Sequence, residues 1–387
     1  MQKPDYHGGS IVNLMASLQQ GLGGEAHVYP PLRHLPVAEV EGYRQVILWV
    51  IDGLGWQMLR QQPQAVHLNA ALRERMTSVY PPTTASAVTT FLTGDAPQQH
   101  GLTGWFIHFR ELGACLAVLP GRPRYGGVGY AQSGIDVAKL LGNRPFSERI
   151  ARPARVLSPH TIAQSDFNRA HLGTARLSSY RGLDDLRDQL LRSMREEIPG
   201  YLFAYWPELD AIGHREGIAS EQAVEHLLEL DRVFAELSEA ARTRDALLLV
   251  TADHGQIDTR SGDRLSLDAH PQLSQYLALP LCGEPRSAYA YLRPGCEAAF
   301  DGYLERHLSQ VMESVPSQTL MDAGWFGLGE PHPELARRIG DRVLILKHHY
   351  SFRDWLAQER RFELVGVHGG VSQDEMLVPL IVVQGSR

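Results

Sequence analysis

Three apolar runs limit what this chain can fold into. "QVILWVI" (45–51), "YLFAYW" (201–206) and "ALLLVT" (246–251) are unbroken and of strand length, the first rich in β-branched residues and the second in aromatics. An alternating pattern would mark a strand with one wet face. An unbroken run such as "QVILWVI" marks a strand buried on both faces, the habit of a parallel sheet covered by helices. Helical patterns lie between the runs. "SIVNLMASLQQGLGG" (10–24) ends in a glycine stop, "GWQMLRQQ" (55–62) reads as a return helix, and "EQAVEHLLELDRVFAELSEAART" (221–243) spaces apolar residues three and four apart. Another helix is expected from Thr83 or Thr84 to Gly94. Strands alternating with helices imply an α/β fold with a mostly parallel central sheet. The chain closes with "GVHGGVSQDEMLVPLIVV", a loop and a last strand.

The segment from about 256 to 350 is less regular. It holds "LCGEPRSAYAYLRPG", read as a strand with turns, "AAFDGYLERHLSQVMES" (298–314), read as a helix, and "DRVLILKHH", read as a strand. A small inserted cap subdomain is expected there, within a single catalytic domain spanning 1–387.

Composition excludes several classes. A net charge of −7, from 37 basic and 44 acidic residues, argues against a surface built for nucleic acid polymers. No segment approaches the ~20 apolar residues that span a bilayer, and the N-terminus lacks the apolar core of a signal peptide. Cys115, Cys282 and Cys296 are odd in number and widely spaced, so neither a disulfide framework nor a thiolate zinc motif follows. A cytoplasmic protein without a membrane partner is expected. The oligomeric state is left open.

The chemistry sits where strands end. Asp52 follows the first run, Asp210 and His214 lie in "ELDAIGH" after the second, Asp253 and His254 in "TADHG" after the third, and His368 in "VHGG". Ligands of open α/β sheets gather beyond the carboxyl ends of the strands. Three aspartates and three histidines would therefore converge on one edge. Oxygen and imidazole donors without thiolates suit zinc, manganese or iron. Six donors exceed what one catalytic tetrahedral zinc takes, and they match two cations about 4 Å apart, the usual device for phosphoryl transfer. Thr83 and Thr84 supply a hydroxyl at a helix start. One reading is an N-cap; the other is a nucleophile favoured by the helix N-terminus and a nearby cation.

The order "ID-G", "PPTTASAVTTFLTG-x-x-P-x-x-HG", "ELDAIGH", "TADHG" and "HGG-x-S-x-x-EM", spanning 47–380, resembles the alkaline phosphatase superfamily. Within it the chain is similar to the type I phosphodiesterase/nucleotide pyrophosphatase branch. The resemblance implies a three-layer α/β fold, two divalent cations (zinc before manganese) and a phospho-threonine intermediate. It implies that Asp52, Asp253 and His254 hold the cation beside the nucleophile and that Asp210, His214 and His368 hold the other. Counting nine residues back from Thr93 of the Thr-Gly pair makes Thr84 the nucleophile and a cation contact, with Thr83 as fallback. The branch's phosphate-contacting asparagine has no counterpart in "HGLTGWF", where Trp105 stands near its place. Trp105 is either an aromatic wall for substrate or a core tryptophan. His100 is expected to hold its own loop, and Lys347, His348 and His349 to be a solvated cluster. No lysine or arginine stands out as a grip for a dianionic phosphate, which points to diesters of small molecules. Phosphomonoester or phosphonate hydrolysis on the same cations is the alternative, and a non-catalytic binding role a more distant one.

Overall fold

The three apolar runs lie side by side at the centre of a seven-stranded sheet. Gln45–Ile51 pairs in parallel with Gly200–Trp206 on one side and Ala246–Thr251 on the other. The computed structural model describes residues 1–357 and 359–386. It orders this sheet Leu72–Thr77, Leu377–Gln384, Ala246–Thr251, Gln45–Ile51, Gly200–Trp206, Ala154–Pro159, Arg176–Tyr180. Leu377–Gln384 alone opposes its neighbours, running antiparallel to Ala246–Thr251 and Leu72–Thr77. The mostly parallel sheet expected from the sequence is the one that forms.

Every residue of Gln45–Ile51 and Ala246–Thr251 is buried. Side chains alternate across a strand, so both faces of the sheet are covered, as a three-layer arrangement requires. Each buried aliphatic side chain of these runs contributes about 1.5–3 kcal/mol by leaving water. The expected helices are present at Ile11–Gly21, Trp56–Gln61, Thr84–Thr93 and Glu221–Arg242. Gly94, at φ +84°, ends the helix that begins at Thr84. Among the described residues no helix is long and apolar enough to cross a membrane.

A second sheet, antiparallel throughout, runs in the order Met312–Pro316, Arg342–Leu346, Ser287–Ala290, Cys282–Glu284, Phe106–Phe109, Ala114–Ala117, Arg122–Pro123. The segment expected as an insertion supplies the first four strands; residues 106–123 supply the others. The sequence reading of one helix over 298–314 needs correction. The helix spans Glu297–His307, and Met312–Pro316 pairs with Arg342–Leu346. A helix continued through that stretch would meet Pro316 within a turn, whereas the strand gains cross-strand pairs. The thiols of Cys115 and Cys282 lie 3.6 Å apart in this second sheet, and neither is in a disulfide.

A buried ion pair ties the two sheets together next to the last metal-type histidine. Arg286 grips Glu375 with two bonds, Nε to Oε1 at 3.1 Å and Nη2 to Oε2 at 2.9 Å. Glu375 also accepts from the Gly370 N–H and the Ser372 hydroxyl, both at 2.7 Å, and so shapes the loop that follows His368. Burial disfavours the carboxylate, but Arg286 outweighs burial and holds its pKa below the ordinary 4.5. Removing one partner would strand the other charge, so Glu375→Ala should cost about 3–5 kcal/mol in denaturant unfolding. Because the folded pKa is depressed, this stabilisation is complete above the unfolded value and lost as pH falls through the folded one. The stability gap between the native protein and Glu375→Gln should accordingly narrow below about pH 4.

Candidate metal centre

The six predicted side chains meet at one edge of the central sheet. Asp52 and Asp253 follow the neighbouring strands Gln45–Ile51 and Ala246–Thr251, whose register carries both to the same level. Asp210 and His214 lie one turn apart in the helix Glu208–Glu216, which leaves the Gly200–Trp206 strand. His368 follows the short strand Gly366–Val367. His254 Nε2 stands 3.3 Å from Asp52 Oδ1 and 3.4 Å from Asp253 Oδ2. His214 Nε2 is 3.2 Å from Asp210 Oδ2, and His368 Nε2 is 3.9 Å from Asp210 Oδ1. The His254 and His368 rings stack with centroids 3.8 Å apart. Asp52, Asp253 and His254 bring ligand atoms within 4.8 Å of one another, and so do Asp210, His254 and His368. The sequence assigned His254 to the first group only; the geometry puts it within reach of both.

Backbone shape makes this approach feasible. Gly53 adopts φ +76°, and a Cβ on it would stand 3.1 Å from the Asp210 backbone. Its N–H donates to Asp253 Oδ1 at 3.2 Å, so the turn after the first strand also orients the aspartate after the third.

The residues fit a pair of cations. Asp52 Oδ1 and Asp253 Oδ2 are buried and have no hydrogen-bond partner among the described residues. No lysine or arginine among those residues pairs with Asp52, Asp210 or Asp253. Buried carboxylates without partners are costly unless they are neutralised or coordinate a metal. Burial, and then Asp253 and Asp210, push the Asp52 carboxyl up; burial also raises Asp253. Burial would raise Asp210 too, but His214, His368 and His254 outweigh it and hold it low. Burial and the neighbouring His254 keep His368 neutral, as a ligand must be.

Surrounding groups aim the ligands. His214 Nδ1 lies 2.7 Å from the Gly366 carbonyl and His254 Nδ1 3.1 Å from the Gly255 carbonyl. Donation from Nδ1–H leaves each Nε2 lone pair facing the aspartates. The Tyr205 hydroxyl donates to Asp52 Oδ2, and Gln256 Nε2 donates to the Asp210 carboxylate and, at 3.2 Å, to its backbone carbonyl. Neither residue was found from the sequence. Tyr205 hides in an aromatic strand, although its pairing with Val50 places it beside Asp52. Gln256 directly follows "ADHG" and could have been read as part of that motif. Tyr205→Phe should weaken metal binding about 10- to 100-fold by titration calorimetry, as loss of an outer-shell donor does.

Thr84 opens its helix and is half-buried, while Thr83 before it is buried. The Thr84 hydroxyl is 3.2 Å from His254 Nε2. The Thr83 hydroxyl points away and donates to Glu284 Oε1 at 2.6 Å. The same oxygen accepts the Trp105 N–H at 2.7 Å. The Trp105 side chain is 38% exposed, so the core alternative for it fails. His100 ties its loop by accepting the Leu102 N–H at 3.1 Å. Lys347, His348 and His349 are exposed, with Lys347 donating to the Ser309 carbonyl and His349 facing that of Asp258.

A sequence model described as type I phosphodiesterase / nucleotide pyrophosphatase matches residues 46–370. No curated protein matches the chain. Among solved structures, the mouse ectonucleotide pyrophosphatase/phosphodiesterase 5 is 16% identical, with 88% of each chain covered and a TM-score of 0.66. An inactive threonine-to-alanine form of that mouse protein, in complex with AMP, aligns with a TM-score of 0.65. Phosphonoacetate hydrolase from Sinorhizobium meliloti, in complex with phosphonoformate, is 17% identical over 89% of this chain and 91% of its own, with a TM-score of 0.65.

Proposed function

The chain belongs to the type I phosphodiesterase / nucleotide pyrophosphatase family, and on that premise we propose that it cleaves phosphate diesters or nucleotide pyrophosphate-type bonds through a phospho-threonine at Thr84. The family fixes the coarser statement, a hydrolase acting at phosphorus. The observation that carries the finer one is the Thr84 hydroxyl, set 3.2 Å from His254 at the point where the carboxylates and imidazoles crowd together.

Asp52, Asp253 and His254 would hold one divalent cation, and Asp210, His214 and His368 the other, with zinc or manganese suited to the donors. When bound, such a pair neutralises phosphoryl oxygens and favours an ionised hydroxyl. The chain's own residues do the rest. Thr84 Oγ1 gives up its proton to solvent and forms the new bond to phosphorus as the bond to the leaving oxygen breaks, and that oxygen takes a proton from solvent. Water then takes the phosphoryl group and restores the Thr84 hydroxyl. The first N–H groups of the helix Thr84–Thr93 have no intrahelical acceptor, so they can receive phosphoryl oxygens in place of the absent asparagine. Asp52 and Asp210 are kept in position by Tyr205 and Gln256, which limits the reorganisation needed at the moment of reaction. Trp105, exposed and tied to Glu284 through its backbone N–H, would face the organic part of the substrate.

A second reading, hydrolysis of a phosphonate, is kept because phosphonoacetate hydrolase shares the fold over most of both chains. The deciding experiment supplies zinc or manganese and compares bis-p-nitrophenyl phosphate, p-nitrophenyl phosphate and a phosphonate. Acid quench during turnover, followed by mass spectrometry, should find a phosphoryl group on the peptide containing Thr84. Diester turnover with no trapped adduct at Thr84 would refute the covalent route. Preference for the phosphonate would select the second reading.

A further inference from the structure

The strand Ser351–Arg353 runs along the turn that carries Glu284. The Phe352 N–H donates to the Pro285 carbonyl at 2.8 Å, and the Asp354 carboxylate accepts the Leu281 N–H at 2.8 Å. Arg353 is thereby held beside Glu284, whose Oε1 binds both Thr83, the neighbour of Thr84, and the Trp105 backbone. The Arg353 charge acts on Glu284 and also on His214.

This guanidinium is unlike the other recessed arginines. Arg124 grips Asp354 and Glu359, Arg286 grips Glu375, and Arg338 grips Glu111. The Arg353 guanidinium, on a strand paired through its backbone with Arg264–Ser266, has no hydrogen bond or ion pair to any described residue. Two aromatic rings flank it instead, with the Phe362 centroid at 5.0 Å and the Trp355 centroid at 5.9 Å. Burial lowers its pKa to about 10, so it remains a cation at neutral pH. A recessed planar cation fixed by aromatic faces, with its donors unspent, is the arrangement that takes a carboxylate or phosphate two-pronged.

We propose that Arg353 anchors a second anionic group of the substrate, a phosphate or a carboxylate next to the scissile phosphorus, and so selects pyrophosphate esters or phosphonocarboxylates over simple diesters. The proposal rests on the phosphoryl-transfer reading of the centre and names the substrate class for it. The rings of Trp355 and Phe362 flank the guanidinium, and the Glu284 carboxylate attracts it.

The test uses pairs of probes that differ by one anionic group. In kinetics these are bis-p-nitrophenyl phosphate and the symmetric di-p-nitrophenyl pyrophosphate. In calorimetry on the metal-loaded protein they are methylphosphonate and phosphonoacetate, and binding needs no turnover. Arg353→Ala should cut kcat/KM for the pyrophosphate, or affinity for the phosphonocarboxylate, about 10- to 100-fold, as loss of charged hydrogen bonds does. The probes with a single anionic group should change less than about threefold. The two arms tell a phosphate from a carboxylate. Arg353→Lys keeps the charge without the fork and should fall between native and alanine forms. Unchanged probe ratios in both variants, or no native preference for the second anion, would overturn the proposal. Should no substrate be hydrolysed while the binding ratio still collapses in Arg353→Ala, the anchor stands and the phosphoryl-transfer reading fails instead.

Discussion

Thr84→Ala should lower turnover of any substrate by about three to six orders of magnitude, the loss typical of removing a covalent nucleophile. The fold should hardly notice. Thr84 is the first residue of its helix and only half-buried, and its hydroxyl contacts His254 alone among the described side chains. Loss of one such bond costs about 1 kcal/mol. A melting temperature near the native one, together with abolished turnover, would locate the defect in chemistry. Thr84→Ser keeps a hydroxyl on the same helix turn and should retain activity to within about a hundredfold. Thr83 is the control, because its hydroxyl is committed to Glu284. An active Thr84→Ala protein beside an inactive Thr83→Ala one would transfer the nucleophile to Thr83.

The second large effect concerns His254, the side chain within reach of both ligand groups. His254→Ala should cost at least about two orders of magnitude in turnover, since two cations supply most of the charge stabilisation. Elemental analysis should show fewer than two metals per chain. It should also remove the contact of Thr84, so the two defects are expected to be far from additive. Excess chelator should silence the native protein, and zinc or manganese should restore it. Binding of metal to the folded state alone should raise the melting temperature with metal concentration. Full turnover in chelator, with no metal retained, would remove the two-cation reading.

The sequence was most legible where chemistry and strand ends coincide. Asp52, Asp210, Asp253 and His368 each follow an apolar run or a glycine-marked loop, and a parallel sheet forces such positions together. The Pro-Pro-Thr-Thr entry and Gly94 exit framed the Thr84 helix because caps are local signals. What stayed hidden depends on contacts far apart in the chain. Arg353 lies beside Glu284 only because the Phe352 backbone bonds to that of Pro285, and no spacing announces it. Tyr205 reads as one more apolar strand residue until the register sets it against Asp52. The second sheet mixes residues 106–123 with 282–346, a pairing across more than 150 residues that periodicity does not reveal. The break after His307 was missed because the helical pattern and the strand pattern overlap at Val311 and Met312.

The placement of Leu377–Gln384 bears on how the protein is made. This strand comes more than 120 residues after Ala246–Thr251, yet it is wedged between that strand and Leu72–Thr77. Synthesis must therefore run on well past Thr251, as far as Gln384, before this side of the sheet can close. Until then Ala246–Thr251, apolar but for Thr251, presents an open backbone edge that other nascent chains can join. Versions shortened before Leu377 should accumulate as insoluble material even though every ligand and Thr84 lie upstream of the cut.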